Sequence, residues 1–478
     1  MQCATYRVRA LAVASAVLLL GSFVSAASVA FAEDGEAAVP ARSLDGSGVS
    51  ATPNSTSAPQ MKAEVAAAPN GTSAPQAKAE VAAPTEPVAA PRNELAGLPA
   101  IAGNNVFGLL FGVTGSFMRF VPGYTPFRFR AQLTAVASIL RTDSGVRSPL
   151  QNADLRLDFP SLWGGKVRLF AMLRYQRIEN VGYWGIGNGA GNRIPEDYRG
   201  PRDRYFTWKK QMAQANLFAR YALRRRVELL FGLGMRAIRP ELWEDTKLMR
   251  DLAQPNGAER KVLYGTTRQL VGDVLVGLLR DTRDHEFNPQ RGGYHELSFR
   301  AGAGPTDERE LRYGSTYLHL RWFLPLIGER LVLALRGLAD VGFGSMPLVE
   351  LGTLGGYTTL AGPASIEANR ALPYGRQLGQ VKLFGTTELR STFYHFSLRR
   401  HHFGLGAVTF IDASRVTARL GGPRSLEGGP IARVSLGGGL RLIWGSALVV
   451  RVDLGVAPRA DLEGKTHFAA SLALGHSF

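Results

Sequence analysis

From residue 101 to the end of the chain, apolar and polar side chains alternate in stretches of roughly ten residues separated by Gly, Pro, Asn and Asp. In residues 448–456, Leu448, Val450, Val452, Leu454 and Val456 share one face, and Arg451 and Asp453 the other. In residues 166–176, Val167, Leu169, Ala171, Leu173 and Tyr175 oppose Arg168, Phe170, Met172, Arg174 and Gln176. In residues 317–324, Leu318, Leu320, Trp322 and Leu324 oppose Tyr317, His319, Arg321 and Phe323. Successive side chains of a strand point to opposite sides, so each stretch predicts a strand with one apolar and one charge-bearing face. About fifteen such strands are marked this way, and the expected count is sixteen because single-chain bacterial barrels close with an even number. A soluble sandwich would use strands of about five or six residues and turn its charges outward. Longer strands with an apolar face fit an all-β, transmembrane antiparallel β-barrel over residues 101–478. Its apolar side meets lipid, and Arg, Asp and Glu line the lumen.

The N-terminal part reads differently. In residues 1–32, Arg7 and Arg9 precede an apolar stretch over residues 11–24. Ala30-Phe31-Ala32 then supplies an A-x-A cleavage site before Glu33, which predicts a secretory signal peptide. Val24-Ser25-Ala26 is an alternative cut. Residues 33–100 are rich in Ala and Pro. Thr56-Ser57-Ala58-Pro59-Gln60-Met61-Lys62-Ala63-Glu64-Val65 recurs there as Thr72-Ser73-Ala74-Pro75-Gln76-Ala77-Lys78-Ala79-Glu80-Val81. Such a segment buries too little apolar surface to offset its ordering entropy, so a disordered periplasmic linker is expected.

Charge sharpens the picture of the lumen. The 478 residues carry 56 Lys and Arg against 39 Asp and Glu, a net +17, and arginine far outnumbers lysine. The arginines stand singly inside apolar stretches, as in Val167-Arg168-Leu169 and Val450-Arg451-Val452, rather than in the clusters of a nucleic-acid groove. Planar, permanently charged guanidinium groups suit a polar pore wall or an anionic lipid surface. No nucleic-acid partner is expected. The single cysteine, Cys3, lies in the leader, so the mature chain is expected to hold no disulfide and no cysteine metal site.

Catalytic chemistry finds no footing. The chain has no G-x-S-x-G elbow, no H-E-x-x-H zinc motif and no Walker loop. His285-Glu286 and His295-Glu296 lack a second His, and His401-His402 after Arg399-Arg400 reads as a solvated basic cluster in a short turn. No catalytic residue, metal ligand or cofactor is assigned, and the chain is expected not to be an enzyme.

Five stretches carry more specific information. Leu279-Arg280-Asp281-Thr282-Arg283-Asp284 is followed by Phe287, Pro289, Arg291-Gly292 and Tyr294. Asp281 and Arg283 lie two apart, on the face that also holds Asp273, and Pro289 with Gly292-Gly293 makes a turn. Tyr183-Trp184-Gly185-Ile186-Gly187-Asn188 reads on its own as a Gly/Asn turn with an interfacial Trp. Leu354-Gly355-Gly356-Tyr357-Thr358-Thr359-Leu360-Ala361-Gly362-Pro363 follows later. Glu388-Leu389-Arg390 and Phe410-Ile411-Asp412-Ala413-Ser414 sit on successive strands. Alternation places Glu388, Arg390 and Asp412 on the lumen side. Finally, residues 467–478 alternate Phe468, Ala470, Leu472, Leu474, His476 and Phe478.

Together these resemble the BamA/TamA-type superfamily of outer-membrane assembly factors and transporters, the bacterial surface antigen barrels, over residues 107–478. The first stretch resembles the family's D-T-R-D-x-x-F-x-P-x-R-G hairpin through Asp281, Arg283, Asp284, Pro289 and Gly292. The second is similar to an aromatic-Gly-Ile-Gly-Asn stretch of members without periplasmic domains. Gly355, Gly356, Ala361 and Gly362 resemble the long sixth loop that folds back into the lumen. Phe410 to Ser414 is similar to the F-x-D-x-G wall motif, with Ser414 in place of Gly. Phe478 resembles the family's C-terminal barrel signal.

The resemblance implies a lumen lock in which a loop arginine reaches acidic wall residues matching Glu388 and Asp412. The family's arginine stands directly before the final Gly of the loop motif, where this chain has Ala361. A buried carboxylate pair needs a cation, so Arg370, Arg376 or Arg390 must supply it, and Arg370, on the same loop, is the one expected. Residues 33–100 are too short and too Pro/Ala-rich for a periplasmic POTRA domain, so the resemblance is to a POTRA-less member.

The implied role is insertion or translocation of proteins or lipids at the outer membrane of a Gram-negative cell. The implied partners are outer-membrane lipids including lipopolysaccharide, client polypeptides and the barrel assembly machinery. A passive or structural barrel, or an anion-selective pore, is the alternative, and a barrel-embedded lipid hydrolase a third. The sequence assigns no oligomeric state.

Overall fold

The computed structural model describes residues 91–478, apart from residues 105–106, 125–126, 143–144, 188–192, 287, 358–360, 399–400, 423–431, 445–447, 461–464, 475 and 477. The expected signal peptide, the repeat-bearing part of the linker, Asn188 and Phe287 lie outside the described residues. Among the described residues seventeen strands follow one another. They are β1 Arg92–Asn104, β2 Gly108–Phe120, β3 Phe129–Thr142, β4 Gly145–Arg147, β5 Leu150–Leu162, β6 Val167–Gly182, β7 Thr207–Arg224, β8 Val227–Glu241 and β9 Gln269–Asp281. The series continues with β10 Gly292–Pro305, β11 Glu310–Ile327, β12 Leu331–Gly344, β13 Val381–Leu398, β14 His401–Thr417, β15 Arg433–Trp444, β16 Leu448–Ala457 and β17 His467–Leu474. β4 only hairpins onto the tip of β3, and β5 takes the place beside β3. The other sixteen form an antiparallel meander, each strand paired with the next.

The paired region starts at Arg92, ahead of the boundary expected at residue 101. Ala96, Gly97 and Leu98 belong to the β1–β2 ladder, opposite Ser116, Gly115 and Thr114. Composition favoured a linker here, but a neighbouring strand with open hydrogen-bonding groups recruits even Gly- and Pro-containing backbone.

Alternation sorts the side chains as expected. Leu173, Leu233 and Ile411 are 56%, 59% and 53% exposed on the outer wall, while Glu388 and Asp412 are fully buried on the inner one. Leu318, Trp322 and Leu324 point out, and Tyr317, His319 and Phe323 point in. A continuous outer belt of large apolar side chains is the surface that a hydrocarbon solvent covers and water does not. No described helix is long and apolar enough to cross a membrane.

Apart from the connections 282–291 and 306–309, which flank β10, short and long connections fall mostly at opposite ends of the barrel. One end carries short turns, such as 225–226 and 328–330. The other carries long loops at 183–206, 242–268 and 345–380. The main apolar core lies at this long-loop end, where Tyr183, Ile186, Leu248, Leu263, Met346 and Leu348 pack on Trp208, Met212 and Ile238 of the wall.

The meander closes at one seam, between β1 and β17. The two strands lie side by side, yet among the described residues no register pairs them. β17 has eight residues against thirteen in β1.

Candidate functional site

Loop 345–380 enters the lumen and is held there by polar contacts with the wall. Glycine permits the first approach. A Cβ on Gly356 would lie 2.2 Å from the Tyr317 ring, so only the bare backbone fits and the following amide reaches the wall. Tyr357 N donates to Glu296 Oε1 at 2.7 Å, and Gly355 N to Asp340 Oδ2 at 3.0 Å. Gly362 turns the chain with φ +101° against Gly352, a conformation that L side chains avoid. Ala361 is exposed, and its amide donates to Glu367 Oε2. It stands where the family's arginine would be and faces no wall carboxylate in any hydrogen bond or ion pair of the described residues.

Beyond the turn the loop carries Arg370 to the carboxylates. Its Nε donates to Asp412 Oδ2 at 2.9 Å, its Nη2 to Asp412 Oδ1 at 2.8 Å and its Nη1 to Glu388 Oε1 at 2.6 Å. Its backbone amide also donates to Asp412 Oδ2. The guanidinium lies over the Phe410 ring at 3.5 Å and comes within 3.7 Å of Asp453. Register explains the convergence. Thr386 faces Asp412 and Glu388 faces Phe410 across the β13–β14 ladder, so two carboxylates and one ring share a patch of inner wall. A fork-shaped cation satisfies both carboxylates at once, which an ammonium on a flexible stem does less well.

Arg390 joins the same group from the wall. Its Nε donates to Glu388 Oε2 at 2.8 Å and its Nη2 to the Phe478 carbonyl at 2.9 Å. Arg376, the third candidate cation, is placed elsewhere, 5.6 Å from the Trp184 ring.

Ser414, where the family pattern has Gly, supplies further bonds to the loop. Its Oγ donates to Gln377 Oε1 at 2.6 Å and accepts from Asn369 Nδ2 at 2.8 Å. The wall residues Asp453, Arg441 and Arg451 complete this corner. Arg441 Nη1 pairs with Asp453 at 2.6 Å and Arg451 Nη1 with Asp453 at 2.8 Å. The Arg-x-Asp spacing of Arg451 and Asp453 had put both inside, but nothing in one strand's pattern says which distant loop residue they meet.

A second anchor went unnoticed in the sequence. Glu350, in the short helix Leu348–Leu351, is buried between Arg236 and Arg300, bonding both. Arg236 Nη2 also reaches Asp273 at 2.7 Å. Lys382 Nζ donates to Asp340 Oδ2 at 3.0 Å and to the Glu350 carbonyl at 2.9 Å. A lone Glu inside Leu-Val-Glu-Leu was the available signal, because an acid in an apolar run needs a cation if it is buried.

The hairpin stretch folds across the short-turn end. Arg283 chelates Asp281 through Nε and Nη2 at 2.9 and 2.8 Å. Asp284 Oδ1 accepts the amides of Gln290 and Arg291, closing the turn that holds buried Pro289, and β10 begins at Gly292. Glu286 reaches Arg168 on β6 at 3.2 Å, and Asn288 Oδ1 meets His476 Nε2 at 2.9 Å.

Two expectations are corrected by this geometry. Alternation put His476 and Phe478 on the same face as Phe468. Phe468 is indeed 60% exposed, but Phe478 is only 7% exposed and sits inside, 6.0 Å from Phe323 and under the guanidinium groups of Arg336 and Arg390. β17 ends at Leu474, opposite Val450 and near the start of β16. With little ladder left to pair, the tail gains more from ring and guanidinium contacts in the lumen. Trp184, read as an interfacial Trp, is buried instead and stacks on Phe206 at 5.7 Å. The Gly187 amide beside it donates to the Leu378 carbonyl at 2.8 Å. The two stretches read as separate motifs therefore pack on each other, with Tyr183-to-Gly187 capping the returning arm of loop 345–380.

The Omp85 superfamily domain matches residues 203–478. No curated protein sequence matches. Similar solved structures include BamA from Haemophilus ducreyi lacking POTRA domains 1–3, at 13% identity and a TM-score of 0.46, covering 80% of this chain and 70% of that one. CdiB from Escherichia coli is similar at 14% identity and a TM-score of 0.46, covering 82% of this chain, which spans 62% of the CdiB chain. CdiB from Acinetobacter baumannii gives 14% identity and a TM-score of 0.42, covering 80% of this chain and 59% of that one. With a matching domain that covers more than half of its length, the chain belongs to the Omp85 superfamily.

Proposed function

We propose that this protein acts at the outer membrane of a Gram-negative cell in inserting or translocating polypeptide through its barrel seam. The observation that carries the reading is the junction of β1 and β17, adjacent but with no described register between them. An unpaired strand edge offers backbone donors and acceptors to an incoming strand. Every other neighbouring pair of long strands is laddered, so the seam is where the wall opens at least cost.

The plugged lumen supports the same reading. Loop 345–380 enters the route that a passive pore would leave open and is fastened to the inner wall through the Arg370 and Glu350 anchors. Short turns face the periplasm and long loops the outside, the usual arrangement of such barrels. The signal peptide over residues 1–32 and a tether running up to β1 belong to this proposal, as do client polypeptides, lipopolysaccharide contacts on the outer belt and barrel assembly machinery as partners. Arg370, Glu388, Asp412 and Arg390 form the lock that sets how readily the plug moves, and no catalytic step is assigned.

Depletion of the protein followed by a quantitative survey of outer-membrane proteins tests this. The expected result is a selective fall in one or more other barrel or secreted proteins. Unchanged levels throughout, with intact outer-membrane permeability, would refute the role.

A further inference from the structure

We propose that the short-turn end of the lumen holds a binding site for a small tetrahedral oxyanion of the phosphate class, formed by Arg390 and Arg441. The site is a small cavity lined by Arg390 and Thr392 of β13, Arg441 of β15, Asn288 of the hairpin turn and His476 of the tail, with Glu329 at its rim. Both arginines are more than nine-tenths buried. Among the described residues, Nη1 of Arg390 and both Nε and Nη2 of Arg441 are buried without a hydrogen-bond partner. Buried guanidinium N–H groups left unpaired are costly, and a native site that retains several of them is built to receive an acceptor.

Charge points the same way. In this corner Arg370, Arg390, Arg441 and Arg451 pair with the side-chain acids Glu388, Asp412 and Asp453, and Arg390 also donates to the main-chain oxygen of Phe478. With the nearby guanidinium of Arg336 over Phe478, five guanidinium groups stand against these three side-chain acids and the chain-end oxygen of Phe478, so positive charge remains over. The acid at the rim, Glu329, is 71% exposed and screened by water. An oxyanion with several acceptor oxygens suits forked donors better than a halide does. The enclosure by the hairpin turn and the tail, joined through Asn288 and His476, favours a free anion over one carried on a large molecule.

The test uses the full chain purified in detergent, with its unfolding midpoint followed against inorganic phosphate at constant ionic strength. A saturable rise is expected. At a phosphate concentration one hundred times Kd, the folded-to-unfolded ratio rises about a hundredfold. Arg441→Gln is expected to remove the saturable part. Thr392→Glu places a tethered carboxylate in the cavity, so it should raise the phosphate-free midpoint and abolish the response. Chloride giving the same rise would overturn the site, as would an undiminished response in both variants. A rise with short-chain phosphatidic acid but none with free phosphate would overturn the assigned occupant.

Discussion

Arg370 is a single side chain on which three elements depend, because it neutralises acids from β13 and β14 while fastening the loop that carries it. Replacing it with Met would leave Glu388 and Asp412 buried together without the cation between them. Breaking a buried ion pair from one side costs about 3–5 kcal/mol, so a marked fall in the urea midpoint of R370M in detergent is expected. Adding Ala361→Arg to R370M tests which position is the working one. Residue 361 is exposed, so the double variant is expected to stay as weak as R370M, and recovery to the wild-type midpoint would show that the loop re-registers. The need for a cation was legible, because Glu388 and Asp412 share the lumen face by parity alone. That Arg370 fills it followed from loop membership, whereas Arg376, equally placed by sequence, is drawn to Trp184 by packing that no periodicity reports. Glu350 shows the opposite case, since its two arginines come from β8 and β10 and only tertiary structure assembles them.

The hairpin turn between β9 and β10 is the element that closes the short-turn end, and Glu286 fastens it to the far wall. Burial alone would raise its carboxyl, but Arg168, helped by Arg220 and Arg283, holds it below the ordinary 4.5. A carboxyl with a depressed folded pKa contributes its stability fully above the unfolded value and loses it as pH falls through the folded one. The difference in unfolding midpoint between wild type and Glu286→Gln is therefore expected to hold steady from about pH 7 to pH 5 and to shrink below 4.5. A difference that already shrinks between pH 7 and pH 5 would show that Arg168 does not depress this group. The tail beside the turn gives a second check at this scale. Phe468→Trp should add fluorescence that brominated lipid quenches, and Phe478→Trp fluorescence that it does not, because one faces out and the other lies against Phe323. Equal quenching would place the tail on the wall after all. Strand existence and facing were readable here because period two survives burial on both sides. The end of β17 was not, since alternation continues through His476 and Phe478 while the partner strand has almost run out.

At the scale of the whole molecule, the distinction that matters is between a cylinder with a removable plug and a filled, rigid post. Loop 345–380 is anchored through ion pairs, hydrogen bonds and apolar contacts with the inner wall, while the wall is held by ladders that the loop does not complete. Replacing residues 353–378 with a short Gly-Ser connection should therefore leave the barrel folded, heat-modifiable on gels and rich in β structure. It should also change conduction. The intact protein is expected to give small, fluctuating currents in a planar bilayer, and the loop-replaced variant steady, larger ones. The replacement removes Arg370 but keeps Glu350, and it leaves Arg236, Arg300, Arg336, Arg390, Arg433, Arg441 and Arg451 on the inner wall of the open lumen. Their surplus over the remaining acids should make the current anion-selective, with a reversal potential in a KCl gradient displaced toward chloride. If the variant stayed folded yet conducted no better than the parent, the lumen would be closed by the wall itself, and the seam between β1 and β17 would have to serve as the route without any displacement of the plug.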